Sequence, residues 1–297
     1  TTGDDNYFFY YYVKKLATIP ILKQSLDTLG LLRLFLGCKI RAKKHFGQNF
    51  LTDSSVVDKI IKAMPDTRDI SLVEVGPGLG DLTKGLIERG SVEAYEVDED
   101  LYEHLKDVFK EEIQNNRLRL NLGDVLEYWE RGSLPKCPYW IVANIPYYIT
   151  TPIIHKGLED TNCIGMILMV QKEVAEKLTA DVSSKEYSSL SVLVQILSRS
   201  GILFEVPSEA FNPPPKVTSA VVRIEKKDSV KVIFQGLKRY VSRAFAAPRK
   251  TLLKNLSSCY NKEQIKALFE KLNISPNLRP HELTADMHLC LFRNLTI

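Results

Sequence analysis

Short apolar runs alternate with amphipathic stretches along the middle of the chain, and this alternation constrains the fold more than any other feature. Five apolar runs predict strands, at 71–76, 92–98, 118–127 (a strand together with its exit), 139–145 and 163–171. The stretches at 80–90 and 99–114 have apolar residues at helical spacing. Strands that alternate with helices form βαβ units around a parallel sheet. The sequence therefore predicts an α/β fold whose ligand lies beyond the carboxyl ends of the strands.

The pattern changes in the last third of the chain. A proline cluster at 211–217 precedes a strand-like segment at 219–225, and only helical periodicity follows. The sequence therefore predicts an α/β domain at 42–227 and a small basic helical domain at 228–297. Residues 1–41 form an extension of unknown role.

A glycine-rich turn, GPGLGD, follows the first predicted strand and opens a helix. Glycines in this context let a ligand lie against backbone amides at a helix N-terminus, so Gly76 and Gly78 are predicted ligand contacts. The dinucleotide fingerprint requires glycine or alanine at position 81, where this chain has Asp81. An acid there repels a pyrophosphate, so a nucleoside without phosphates fits better than NAD.

Acidic residues follow the next two strands. Glu96 comes 20 residues after Gly76, the spacing at which a carboxylate accepts from both ribose hydroxyls; a surface acid at a strand end is the alternative. Asp124 is predicted to accept from the exocyclic amine of adenine, and a helix N-cap before VLEYW is its alternative. The ends of the first three predicted strands thus offer glycine, glutamate and aspartate in turn. Together they indicate an adenosyl pocket in a Rossmann-like sheet, and S-adenosylmethionine is the ligand that explains them most simply.

The fourth strand ends in ANIPYY, where proline forces the chain out of the sheet. The N6 amine of adenine is a poor nucleophile, and hydrogen-bond acceptors can orient it for attack on a methyl sulfonium. Asn144 and a backbone carbonyl beside Pro146 supply such acceptors, and Tyr147 can stack on the base. Phe211, before the proline run, is the predicted second stacking face. Ordinary core packing is the alternative for both aromatics, and a turn residue is the alternative for Asn144.

The charge is unevenly distributed. Residues 228–297 carry 12 Lys/Arg against 5 Asp/Glu, residues 1–45 carry 8 against 3, and the residues between carry 20 against 28. Basic ends indicate a polyanion, with solvated helix faces as the alternative. A target adenine must be unpaired or flipped out, and the polyanion that carries it would explain the basic ends, with RNA shape providing the selection. The predicted phosphate contacts are Lys43, Lys44, Arg243, Arg249, Lys250 and Lys254.

From about residue 42 onward the chain resembles the KsgA-type ribosomal small-subunit RNA adenine dimethyltransferases. The motifs that carry the resemblance are AKKHFGQNFLTD, VEVGPGLGDLT, YEVDEDL, GDVLE, ANIPYYITTPI, MVQKEVAEKL, FNPPPKVTSAVV, FAAPRKTLLKNL and RPHEL. The resemblance implies that Asn49 and Leu51 close over the methionine part of the cofactor, with Asn49 standing where many members have His. It also implies cofactor contacts at Gly76, Glu96, Asp124 and Asn144.

The same resemblance implies the reaction and the substrate. Two methyl groups are expected on N6 of each of two adjacent adenosines, in a hairpin loop near the 3′ end of 16S rRNA, during assembly of the small subunit. The alternatives are a 23S rRNA methyltransferase of the macrolide-resistance type and an assembly factor whose binding matters more than its catalysis. Ile145 stands where DNA N6-adenine methyltransferases have proline, which argues against that class.

The remaining expectations concern the setting of the protein. Five scattered cysteines form no metal-ligand spacing and indicate reduced thiols. No apolar run is long enough to span a membrane, and the first residues lack the pattern of a signal peptide. We therefore expect a cytoplasmic protein, monomeric by default, with no metal site.

Overall fold

The computed structural model describes residues 48–66, 70–132, 134–227 and 234–295. The predicted extension at 1–41, the residues Lys43 and Lys44 and the predicted boundary at 228 lie outside these ranges. The strands are β1 (Phe50–Leu51), β2 (Ser71–Val75), β3 (Val92–Glu96), β4 (Leu118–Leu122), β5 (Tyr139–Asn144), β6 (Cys163–Gln171), β7 (Ser198–Val206), β8 (Phe211–Asn212) and β9 (Ser219–Lys226).

Helices connect the strands and continue after the last of them. They are α1 (Ser54–Ala63), α2 (Asp81–Ile87), α3 (Glu99–Val108), α4 (Lys110–Gln114), α5 (Val125–Glu130), α6 (Thr150–Glu159), α7 (Lys172–Thr179), α8 (Ser189–Leu197), α9 (Phe234–Ala244), α10 (Leu252–Leu256), α11 (Lys262–Lys271) and α12 (Ala285–Leu295). In the described ranges, none of these helices has the length and apolarity that crossing a membrane requires.

Seven strands form one mixed sheet in the order β4-β3-β2-β5-β6-β9-β7. The strands from β4 to β6 are parallel, whereas β9 is antiparallel to both β6 and β7. The predicted α/β fold is confirmed, and the parallel part of the sheet contains the five predicted strands. In the antiparallel edge, β9 coincides with the strand-like segment predicted at 219–225, whereas β7 was not predicted.

One predicted helix is divided in the structure. The predicted helix 99–114 is interrupted at Phe109, whose backbone leaves helical geometry (φ −105°, ψ 30°) while its ring is buried beside the glycine turn. The third predicted strand ends at Leu122, and its predicted exit contains Asp124, which caps a helix over Val125–Glu130.

Alternate residues of the strands enter hydrophobic clusters on the two faces of the sheet, as strand geometry requires. Val73 and Ile141 belong to one cluster, and Leu72 and Trp140 belong to the other. The first cluster continues without interruption into buried residues of α9 to α12. Those helices therefore share a hydrophobic core with one face of the sheet.

A separate two-stranded ribbon joins distant parts of the chain. Strand β1 is antiparallel to β8, with Phe50 opposite Asn212 and Leu51 opposite Phe211. Thr52 extends the contact, since its amide nitrogen and its hydroxyl both donate to the carbonyl of Ala210. Residues 48–52, hereafter the covering segment, are held in this way over the carboxyl edge of the sheet.

Candidate active site

One cleft at the carboxyl ends of β2, β3 and β5 collects most of the predicted site residues. Those that line it are Asn49, Leu51, Gly76, Gly78, Glu96, Asp124, Asn144, Pro146 and Tyr147. Phe211 and the basic residues of the helical part do not line it. Topology explains the convergence, because parallel strands deliver their exits to the same edge of a sheet.

The glycine turn has backbone geometry that ordinary residues avoid. Gly76, Gly78 and Gly80 have φ values of 66°, 61° and 93°. At Gly80 a Cβ atom would also lie 2.5 Å from Cε2 of Phe109, closer than any real contact. Glycine at this position therefore serves both the left-handed turn and the packing of α3 beneath it.

Glu96 is a buried carboxylate at the exit of β3, with 3% of its surface exposed. Oε2 accepts from the amide of Gly78 at 3.2 Å and Oε1 accepts from the amide of Asp98 at 2.9 Å. Burial raises the pKa of Glu96 to about 7, opposed by the hydrogen bonds from these two amides. A carboxylate has about four acceptor sites, so Glu96 retains capacity for the hydroxyls of a ligand.

Asp124 is the helix N-cap that the sequence offered as its alternative role, and it also lines the cleft. Its Oδ1 accepts from the amide of Leu126 at 2.8 Å and so caps α5. The cap fixes the carboxyl group at the rim of the cleft. Capping and ligand contact are therefore compatible at this residue.

Sequence reasoning did not select Glu74, although it lines the cleft from within β2. It is 1% exposed, and the Thr83 hydroxyl donates to its Oε2 at 2.7 Å. Burial raises the pKa of Glu74 to about 8, with the hydrogen bond from Thr83 opposing the shift. The sequence feature that could have identified Glu74 as a site residue is its charge inside the otherwise apolar run SLVEV.

Asn144 connects the exit of β5 to the covering segment. Its Nδ2 donates to the backbone carbonyl of Asn49 at 3.3 Å. The first residue of the covering segment, Gln48, is held as well, since its Nε2 donates to Oδ2 of Asp98 at 2.9 Å. The predicted cofactor residue Asn49 and the predicted catalytic residue Asn144 are therefore direct neighbours.

Two tyrosines follow Pro146 in a short 3-10 turn over Tyr147–Ile149. Tyr147 is half-buried, and its hydroxyl lies 2.8 Å from Oγ of Ser219. Tyr148 is 61% exposed and lines the cleft together with the exposed Val97. Partial burial, followed by the charges of Asp124 and Glu96, raises the pKa of Tyr148. Sequence reasoning missed Tyr148 and Val97 because nothing local distinguishes them from ordinary surface residues.

Phe211 lies behind the covering segment. It is 4% exposed, belongs to the same hydrophobic cluster as Leu51, and pairs with that residue across the β1–β8 ribbon. The structure thus brings Phe211 next to a predicted cofactor residue but leaves its ring outside the lining of the cleft.

The predicted RNA contacts of the helical part occupy one turn and the helices beside it. Arg243, Arg249, Lys250 and Lys254 are all exposed. Arg249 and Lys250 lie in the turn between α9 and α10, which also contains Pro248. Asn255 fixes the turn from the protein interior. Its buried side-chain amide donates to the carbonyls of Ala244 at 2.7 Å and Ala247 at 3.1 Å.

The sequence profile of the family described as ribosomal RNA adenine dimethylase matches residues 39–295. The chain belongs to the ribosomal RNA adenine dimethylase family. Membership of this family makes the protein an S-adenosylmethionine-dependent methyltransferase. The alternative of an NAD-dependent dehydrogenase is excluded by it.

Curated relatives agree with this membership. A protein of Campylobacter curvus named ribosomal RNA small subunit methyltransferase A is 45% identical over 266 residues, which cover 86% of this chain and 93% of the relative. A protein of the same name from Sulfurimonas denitrificans is 49% identical over 252 residues, covering 84% and 92%. The similarity thus extends over nearly the full length of both relatives.

Solved structures confirm the fold of this dimethylase. A dimethyladenosine transferase from Plasmodium falciparum superposes with a TM-score of 0.72 at 27% identity, covering 82% of this chain and 95% of that one. The 23S rRNA methyltransferase ErmE superposes with a TM-score of 0.67 at 26% identity, covering 84% and 100%. Because both share the fold, the fold alone does not select between small-subunit and large-subunit RNA.

The residues of the cleft fit S-adenosylmethionine. Among the described residues that line it, four are acidic, namely Glu74, Asp81, Glu96 and Asp124, and none is basic. Acidic side chains without a basic partner in the lining disfavour phosphates and favour a ligand that carries a positive sulfonium, although Glu74 and Glu96 contribute less charge near neutral pH because burial raises the pKa of each to about 8 and about 7. Glu96, with its spare acceptor capacity, suits the ribose hydroxyls, and the glycine turn at Gly76 and Gly78 lines the same cleft.

Proposed function

We propose that this dimethylase transfers methyl groups to N6 of two adjacent adenosines in the 3′-terminal hairpin loop of 16S rRNA. The substrate is the small ribosomal subunit or its precursor. The relatives named for the small subunit support this choice, since their identities of 45% and 49% are well above the 26% of the 23S enzyme.

The contact between Asn144 and Asn49 is the observation that carries the catalytic part of the proposal. Because Nδ2 of Asn144 donates to a carbonyl, the oxygen of the same amide is left to accept from a target amine. Bound S-adenosylmethionine supplies an activated methyl group on its sulfonium. Asn144 holds the adenine amine and, with the carbonyl beside Pro146, orients its lone pair toward that methyl.

The cofactor contacts are proposed from the same geometry. Glu96 accepts from the ribose, Asp124 accepts from the adenine amine of the cofactor, and the turn at Gly76 and Gly78 lies against its methionine part. Asn49 and Leu51 close the cleft from the covering segment. Asn144 touches both the cofactor and the target amine.

Stacking of the target base is assigned to Tyr147 and Phe211. Tyr147 borders the cleft, so its ring is available to a base that enters there. Phe211 is buried behind Leu51, so its participation requires the β1–β8 ribbon to shift when RNA binds. We infer that RNA binding, rather than cofactor binding alone, completes the clamp.

The exposed basic residues of the helical part are proposed to bind phosphates. Arg243, Arg249, Lys250 and Lys254 would set affinity and salt dependence, while selection of the site comes from RNA shape. Lys43 and Lys44 are proposed to add to the same surface. We propose a division into an α/β domain at 42–227 and an RNA-binding helical domain at 228–297, in a protein that acts as a monomer.

A ribosomal substrate also decides the compartment in which the enzyme works. In bacteria such as those whose relatives are described above, ribosomal subunits assemble in the cytoplasm. We therefore propose a cytoplasmic location and action during assembly of the small subunit.

Incubation with labelled S-adenosylmethionine and separated ribosomal subunits from a strain that lacks the methylation tests the proposal. Label is expected in the small subunit, at two adjacent adenosines that each gain two methyl groups. Label in the large subunit alone would establish the 23S alternative. Binding to the small subunit without any label would establish the assembly-factor alternative.

A further inference from the structure

Tyr147 and Ser219 are joined by a hydrogen bond that the proposed function does not use. Their hydroxyl oxygens are 2.8 Å apart, although 72 residues separate them in sequence. Ser219 has no exposed surface, whereas Tyr147 is half-buried at the cleft. The bond thus connects a residue of the cleft to the interior of the sheet.

Ser219 is a fixed anchor. It is the first residue of β9, and its backbone lies opposite Gln171 of β6 on one side and Val206 of β7 on the other. The preceding residue is held as well, since the amide of Lys172 donates to the carbonyl of Thr218 at 3.0 Å. A hydroxyl presented from a strand with partners on both sides has little freedom to move.

The backbone of Tyr147 is also constrained. Pro146 restricts the chain on one side, and the amide of Ile149 donates to the carbonyl of Pro146 at 3.1 Å to close the 3-10 turn. With the backbone fixed, the orientation of the ring depends on its own side-chain torsions. A hydrogen bond at the far end of the ring restricts those torsions.

We propose that Ser219 is a positioning residue that fixes the ring of Tyr147 in the orientation needed to stack on the target adenine. This inference rests on the proposed role of Tyr147 in the methyl transfer. Stacking and attack depend on geometry, so a ring that turns freely spends less time in the productive orientation.

The position of Ser219 adds a second consequence. The segment from Phe211 to Ser219 begins with one proposed stacking residue and ends with the anchor of the other. The residues between, from Asn212 to Thr218, lie mostly at the surface. One short segment therefore sets the separation of the two aromatic faces.

A double-mutant cycle with Tyr147→Phe and Ser219→Ala tests the proposal, because each variant removes the hydrogen bond and retains the ring. A neutral hydrogen bond contributes about 0.5–1.5 kcal/mol, which corresponds to a change of about two- to tenfold in rate. Each single variant is expected to lower kcat on unmethylated small subunits by about that factor, with the KM for S-adenosylmethionine unchanged. The double variant is expected to match the single ones, since all three lack the same bond.

Ser198→Ala is the matched control. Ser198 is 2% exposed, is the first residue of β7, and donates through its hydroxyl to the carbonyl of Val194 at 2.7 Å. It pairs with Lys226 at the opposite end of β9 and is absent from the lining of the cleft. Its loss is expected to change the melting temperature about as much as Ser219→Ala does, while kcat stays at the wild-type value.

A fluorescent base gives a second readout that a purely structural role would not change. An RNA with 2-aminopurine at the target position should be quenched by stacking on Tyr147, and Ser219→Ala should reduce the quenching whereas Ser198→Ala should not. Tyr147→Ala separates the two hypotheses: if it leaves activity intact, the proposed role of Tyr147 is wrong. If Tyr147→Ala abolishes activity while Ser219→Ala and Tyr147→Phe preserve kcat and quenching, only the role of Ser219 is wrong.

Discussion

Nδ2 of Asn144 donates to the backbone carbonyl of Asn49 at 3.3 Å, and this contact determines which end of the amide faces the cleft. The nitrogen is engaged with the covering segment, so the oxygen is the group that remains for a substrate amine. The contact also ties the orientation of the Asn144 amide to the position of the covering segment. In the proposed mechanism, placing that segment and orienting the Asn144 amide are therefore coupled.

Replacing Asn144 with alanine removes the side-chain acceptor for the target amine. We expect kcat for methyl transfer to fall by about 10²- to 10⁴-fold, the range typical of losing a group that orients or stabilises reacting atoms. Transfer of labelled methyl groups to unmethylated small subunits measures it. Asn121→Ala is the control, because Asn121 also donates from Nδ2 to a carbonyl at 3.3 Å, that of Ala94, and does not line the cleft. Equal activities of the two variants would remove Asn144 from the mechanism.

Glu96 should make cofactor binding depend on pH. Ribose hydroxyls donate to the ionised carboxylate, and burial raises the pKa of Glu96 to about 7. Below that pH the carboxyl group is protonated in the free protein, so affinity for S-adenosylmethionine should fall by up to about tenfold per pH unit. Titration calorimetry from pH 5.5 to 8.5 on wild type and Glu96→Gln isolates this contribution, since the cofactor itself titrates identically with both. Glu96→Gln should bind S-adenosylmethionine more weakly, and its affinity should depend less steeply on pH than that of the wild type. If affinity changed with pH equally in both proteins, Glu96 would not titrate in this range.

Gly80 should be intolerant of a side chain. In Gly80→Ala the added Cβ would lie 2.5 Å from Cε2 and 2.9 Å from Cζ of Phe109, at a φ of 93°. We expect the free energy of unfolding to fall by about 2–4 kcal/mol, from overpacking together with backbone strain. Gly201→Ala is the matched change, because no atom lies within 4 Å of its Cβ position. Urea unfolding should find that variant within about 0.5 kcal/mol of wild type, and a similar loss in both would refute the steric explanation.

His288 should destabilise the protein in acid. It has no exposed surface, and because the carbonyl of Pro280 can only accept, Nε2 carries the proton and Nδ1 accepts from the Tyr240 hydroxyl. Burial lowers the pKa of His288 from its usual 6.5 to about 4. The unfolded chain therefore binds a proton that the folded chain does not, and stability falls as the pH decreases from 6.5 to 4, by about 3 kcal/mol in all. In His288→Gln the loss of unfolding free energy between pH 6.5 and pH 4, measured by urea unfolding, should disappear. This holds whatever the stability of the variant at pH 7. If the variant lost stability with decreasing pH as steeply as the wild type, other groups would be responsible for the effect.

Arg249 and Lys250 should contribute phosphate contacts. Each replacement by alanine is expected to reduce the slope of log affinity against log salt by about 1, through the loss of one released counterion. Filter binding to unmethylated small subunits over a range of salt concentrations measures the slope. Lys271, which is exposed on α11, provides the control. If Lys271→Ala reduced the slope as much, the contact surface would not be centred on the turn between α9 and α10.

Patterns within short stretches of sequence predicted the strands and helices whose ends are determined by neighbouring residues. The strands that end at Val75, Glu96 and Asn144 are apolar runs bounded by polar or breaking residues. At the end of β4 the sequence left two roles open for Asp124, a ligand contact and a helix N-cap, and the structure contains the cap, which begins a helix at Val125. The break at Phe109 depends on a ring that packs under Gly80, which periodicity within a helix does not encode.

Residue patterns alone also missed the covering segment. Phe50 and Leu51 form only two residues of strand, far below the length at which periodicity can be read. Their partners in β8 are equally short. Only the resemblance to a family pointed to Asn49 and Leu51, and the pairing that holds them was unpredicted because it depends on tertiary structure.

The span of that pairing has a consequence for how the protein is made. Thr52 and Ala210 are 158 residues apart in the chain. During synthesis the covering segment is therefore made long before the residues with which it pairs. A nascent chain that stops before residue 210 contains the parallel strands and the glycine turn, yet it lacks β8, to which the covering segment must pair. An unfinished polypeptide of that length therefore cannot form the β1–β8 ribbon.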